Sequence, residues 1–122
     1  MQGFNDDVIT NADKIEKKIK ELETFRNSIL DASTAKAIAI SDYDRELAKT
    51  ILQLKNNKID KWEDQDTKNL PATLILKVAA GINYKNSFKK EDADNGYKGL
   101  LSIIDAVKAE LNGYQSINRH ID

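Results

Sequence analysis

From Asn11 to about Asn57 the chain has neither proline nor glycine, and this stretch limits the fold more than any other feature of the 122 residues. Within it apolar residues return at steps of three and four: Ile15, Ile19, Leu22 and Ile29, then Ile40, Tyr43, Leu47 and Leu54. Phe25, Ala32, Ala35 and Ala39 thicken that stripe, and Leu30, Ala37 and Ile51 widen it. Such spacing is the period of a helix and not the alternation of a strand. Thr10, followed three residues later by Asp13, suggests a capped start. The polar run 31–36 is the weakest part, where a kink or break is expected.

After residue 56 the pattern lapses. Residues 56–69 predict a loop or ragged turn, anchored only by Ile59 and Trp62. Asn69-Leu70-Pro71-Ala72 then predicts a helix start, with the single proline in the first turn, where its missing N–H costs nothing. Leu70, Leu74, Ile75, Val78 and Ala79 give this short helix, expected over 70–80, an apolar face, and Gly81 is its expected stop.

A turn at 84–86 and a cap at Asn86 or Ser87 lead into a second long helix, about 87–117. Its register is the cleanest in the chain: Ala93, Tyr97, Leu100, Ile104, Val107, Leu111 and Tyr114 alternate steps of four and three. That is a coiled-coil heptad. Leu101, Ile103 and Ile117 broaden it and predict more than one neighbour. Gly96 and Gly99 cost about 1 kcal/mol each inside a helix, so they predict either close approach of another backbone or a frayed first turn.

The expected architecture is all-α, one domain over 1–122: a long antiparallel, coiled-coil-like hairpin with a short helix in the tip, 58–84. The first helix is expected to outrun the second by about ten residues. Its stripe from Ile15 to Ile29 is then expected to lack a partner within the monomer, and self-association as a dimer would cover it.

Composition narrows the chemistry. The 19 basic and 20 acidic residues are mixed along the chain and give a net charge of −1, not the basic footprint of a phosphate-holding protein. With no cysteine, disulfides and thiolate metal sites are excluded and a cytoplasmic setting is permitted. No apolar run has the ~20 residues of a membrane span, and Met1–Asp7 lacks the layout of a signal peptide.

Candidate sites are few. One histidine, His120, allows no catalytic triad, and no catalytic residue, metal or cofactor is expected. Glu91-Asp92-Ala93-Asp94-Asn95-Gly96 resembles a calcium loop, but with Gly96 sixth the third position is Ala93 and the twelfth is Ser102. An acidic first turn favoured by the helix dipole accounts for these residues better. Asp42, Asp44 and Glu46, two apart, point in different directions on a helix. No phosphate-cradling glycine motif is present; Gly96-Tyr97-Lys98-Gly99 matches none. Two surfaces remain for partners. Trp62 with Ile15, Ile19, Leu22 and Phe25 are the candidates for binding a protein. Tyr84, Lys85, Phe88, Lys89 and Lys90, lysines interleaved with aromatics, are the candidates for nucleic acid. Trp62 has a second reading, as the plug of a small core.

Several segments resemble small uncharacterised all-helical proteins of phages and prophages of low-GC Gram-positive bacteria. They are Tyr43-Asp44-Arg45-Glu46-Leu47-Ala48-Lys49-Thr50-Ile51-Leu52-Gln53-Leu54-Lys55, Leu70-Pro71-Ala72-Thr73-Leu74-Ile75, Ala80-Gly81, Tyr97-Lys98, Ala106-Val107-Lys108-Ala109-Glu110-Leu111 and Gln115-Ser116-Ile117-Asn118-Arg119. The resemblance spans about two thirds of the chain, is weaker over the first forty residues, and carries no catalytic residue with it. It implies a gene among early recombination and DNA-metabolism functions, and the host cytoplasm as setting. The expected function is a non-enzymatic factor that binds a host or phage protein of recombination or antiviral defence. The alternatives are a nucleic-acid-binding accessory of phage recombination and an oligomeric binder of small nucleotide signals.

Overall fold

A computed structural model describes the backbone of residues 2–121 and the side chains of residues 10–119. It contains helix α1 (Gln2–Lys55), strands β1 (Lys61–Trp62) and β2 (Gln65–Asp66), helix α2 (Ala72–Ile82) and helix α3 (Tyr84–Ile121). The all-α antiparallel hairpin with a short helix in its tip is thus present. The elements differ from those expected at five points, the first being α3, which starts at Tyr84 with neither a turn at 84–86 nor a cap at Asn86 or Ser87. Helix α1 is unbroken through 31–36 and starts before Thr10, so Thr10 is not a cap. The tip holds a two-stranded hairpin. Pro71 stands just outside α2 as its N-cap residue, with extended ψ of 147°, and its carbonyl accepts from the Leu74 and Ile75 amides. Gly81 lies inside α2 and does not end it.

Two compact units make up the chain: residues 1–33 with 96–122, and residues 34–95. In the first, α1 and α3 pack with numbers falling on one as they rise on the other. Leu22, Ile104 and Val107 are buried, with Phe25, Ile29 and Leu111 packed against them. Asn11 Nδ2 donates to the Tyr114 carbonyl at 2.7 Å and to Asn118 Oδ1 at 3.3 Å. The Lys18 ammonium meets Glu110 at 2.7 Å.

The second unit has the tighter core. Leu54 and Ala79 are almost fully enclosed, Ile75 joins them, and Leu47, Ile51, Ile59, Leu70, Val78 and Ile82 close around. Lys36 pairs with Asp94 at 2.9 Å. Helix α1 ends in a Schellman arrangement: Asn57 has φ of 54°, its N–H donates to Leu54, and the Lys58 N–H donates to Gln53. Asn tolerates this left-handed position where most residues do not. A single residue, Asn83, separates α2 from α3. Its side-chain amide donates to the Thr50 hydroxyl at 2.8 Å and to the Ala79 carbonyl at 2.9 Å, both out of solvent.

The seam is longer than the apolar residues alone reveal. On α1 every position of the series 11, 15, 18, 22, 25, 29, 32, 36, 39, 43, 46, 50 is buried or half-buried. On α3 the series 86, 90, 93, 97, 100, 104, 107, 111, 114, 118 behaves alike. Both keep steps of four and three throughout. Four polar members of the series, Asn11, Lys18, Lys36 and Thr50, each meet a partner within their own unit. A polar side chain at a seam position fixes register, because slipping one step would leave it buried and unpaired.

Candidate functional site

The α1 stripe from Ile15 to Ile29, expected to lie uncovered, is largely covered within the chain. Leu22 is a core residue and Phe25 packs beside it; Ile15 is half-buried, and only Ile19, at 42% exposure, stays largely open. Helix α3 supplies the cover, because its Ile104, Val107 and Leu111 meet this part of α1. The requirement for a second copy, which rested on that stripe, goes with it.

Trp62 is half-buried, with its ring against Gly81 of α2. The turn between β1 and β2 has only two residues, with Lys61 opposite Asp66 and Trp62 opposite Gln65. Glu63 and Asp64 both have positive φ, 49° and 63°, as a type I′ turn requires. Thr67 fastens the base: its hydroxyl donates to Ile59 at 2.7 Å and its amide to Asp60 at 3.0 Å. The hairpin lays the half-buried indole on Gly81. A Cβ there would strike Cη2 of Trp62 and come within 2.9 Å of Cζ2. Gly81 therefore serves the close approach of an aromatic ring. Gly96, Gly99 and Gly113 do nothing of the kind: apart from their own stretch of helix backbone, nothing lies within 4 Å of where their Cβ would be. Nor do Gly96 and Gly99 mark a frayed turn, since α3 begins at Tyr84.

The lysine and aromatic group at the start of α3 separates into two parts. Tyr84, Lys85, Phe88 and Lys89 surround a hollow of about 390 Å³ whose wall is nearly all apolar. Tyr84 is 62% and Phe88 70% exposed, one turn apart. Beside the hollow, and sharing Lys89 with it, a groove of about 340 Å³ runs between Ala35, Ile38, Ala39 and Asp42 of α1 and Asn86 of α3. Ile38 is 56% exposed there. Ala35 and Ala39 leave the groove open because their side chains end at Cβ.

Lys90 does not belong to this surface. It occupies a seam position, half-buried, with its ammonium 4.4 Å from the centre of the Tyr43 ring. It lines a different groove with Lys36, Ile40, Glu91 and Asp94. The steps 86, 90, 93 were the signal that would have placed it, hidden because Asn86 and Lys90 are polar. Ile38 lies outside the three-and-four stripe of α1, so spacing alone does not mark it.

Among the described residues no group of three or more His, Cys, Asp or Glu could hold a metal ion, and no helix is long and apolar enough to cross a membrane. The side chain of His120 lies outside the described residues. No family model, curated protein or solved structure matches the chain.

Proposed function

We propose that this chain is a non-enzymatic protein-binding factor, phage-encoded and acting in the host cytoplasm on a protein of recombination or antiviral defence. One observation carries the binding reading: Tyr84 and Phe88 stand exposed one turn apart over an apolar hollow that continues into the Ile38 groove. Exposed aromatics grouped in this way mark contact surfaces more often than single exposed apolar residues do. The phage setting rests on the resemblance of the segments between Tyr43 and Arg119.

The test is site-specific. A photo-crosslinking amino acid at Phe88 is expected to trap a discrete protein from Gram-positive host lysate, and the same group at Ile103 to trap none. Equal labelling from both positions, or none from either, removes the reading.

A second reading, a nucleic-acid accessory, draws on the same four residues, Tyr84, Lys85, Phe88 and Lys89. With Lys90 drawn into the seam, only two lysines remain on that surface, so the logarithmic salt slope of DNA affinity is expected to be no steeper than about −2.

A further inference from the structure

The charges around the hollow point to the chemistry of its occupant, granted that the surface binds a protein at all. Lysines in the seam are answered from within the chain: Lys18 by Glu110 and Glu21, Lys36 by Asp94, and Lys90 by the Tyr43 ring. Lys85 and Lys89 differ. Among the described residues no carboxylate pairs with either, and Lys85 stands only 6.0 Å from the ring of its own neighbour, Tyr84. Two unanswered cations therefore rim an apolar wall. Their reach is bounded, because Asp42 closes the α1 side of the groove and Asp92 follows one turn along α3.

The groove itself lies between two antiparallel helices and is floored by alanines, the setting into which a third helix can lay an apolar ridge. We propose that this surface takes an acidic amphipathic helix of a partner protein. Its apolar face covers Phe88, Tyr84 and Ile38, and one or two carboxylates meet Lys85 and Lys89. A nucleic-acid strand fits less well: it carries a charge at every nucleotide, and Asp42 and Asp92 would repel it on either side of the two lysines. A peptide can confine its carboxylates to the lysine rim.

The experiment selects randomised helical peptides displayed on yeast against the full-length chain, and measures a fluorescent oligothymidylate in parallel. Enriched peptides are expected to carry two apolar residues three or four apart with Asp or Glu beside them. Their affinity is expected to fall on the order of tenfold or more in F88A, an aromatic contact residue. Exchanging Glu for Lys in the peptide is expected to restore binding to the K85E/K89E variant. Far-UV circular dichroism checks that the variants keep their helices, as substitution of exposed side chains should allow. Enriched peptides that are neutral or basic, or indifferent to Phe88, overturn the acidic-helix assignment while leaving a protein-binding surface. No enriched peptide together with oligothymidylate binding lost in F88A overturns both.

Discussion

The unit of residues 1–33 with 96–122 and the unit of residues 34–95 have the same heptad spacing but hold together differently. In the first, two helices meet along one line, and its buried apolar residues, Leu22, Ile104 and Val107, keep 6–7% of their surface. In the second, Leu54 at 1% and Ala79 at 0% are enclosed, with Ile75 at 8%, among residues of α1, α2 and the hairpin base. A two-helix line can relax around a lost side chain; an enclosed core can do so far less. The lesson is that equal periodicity does not give equal stability, because closure around the seam matters as much as the seam.

The strongest way to break that comparison is to empty a position in each. Leu54→Ala should cost about 2–5 kcal/mol, the range for truncation in a closed core, with Leu22→Ala towards the lower end. Urea unfolding read by circular dichroism measures both. Equal losses would mean that the two-helix line is as closed as the tip.

Glycine sharpens the contrast, since the sign of the effect should change along the chain. Gly81→Ala drives a methyl group into the Trp62 ring and should cost about 1–3 kcal/mol as an overpacked site. Gly99→Ala meets open space within α3 and should stabilise by up to about 1 kcal/mol. Trp62 fluorescence should shift in the first variant and stay unchanged in the second.

The buried amide of Asn83 tests whether the second unit also depends on polar fit. Asn83→Ala removes both of its side-chain hydrogen bonds and leaves the Thr50 hydroxyl without its donor, for a loss of about 1–3 kcal/mol. Thr50 still donates to the Glu46 carbonyl at 2.8 Å, so Thr50→Val alone also loses a bond. The double variant should lose less than the sum, because the two residues share one interaction. Simple additivity would show that the Asn83–Thr50 bond contributes nothing.

These contrasts follow what the residues disclosed. The hairpin, the short helix and the α3 register were legible, because Ala93 to Tyr114 repeat without exception. The seam's polar members were not, since Asn11, Lys18, Lys36 and Lys90 look like surface residues until their partners are in place. Glu63-Asp64 carried no hint of a tight turn: type I′ favours Asn-Gly, and tertiary contacts of Trp62 and Thr67 override that preference. Glu63→Asn with Asp64→Gly should therefore stabilise the protein, by up to about 1 kcal/mol, through relief of left-handed strain. The candidate surface was half legible. Tyr84, Lys85, Phe88 and Lys89 stood out by type, whereas Ile38 and the alanine floor needed the packing of α1 on α3.

The smallest effect belongs to the Lys18 ion pair and concerns the first unit alone. The Glu110 carboxylate, then Glu21, holds the Lys18 ammonium above its ordinary value of 10.5, against a lesser opposing effect of desolvation. A raised lysine stabilises the folded chain fully below its unfolded value. That contribution disappears as the pH climbs through the raised folded one. Lys18→Met should thus lower the urea midpoint slightly at neutral pH, and the difference from the parent chain should close only at pH values above 10.5. Added salt should shrink it at neutral pH, since the pair is partly exposed. If instead the gap persists through the alkaline range, the lysine acts by the packing of its aliphatic stem in the seam.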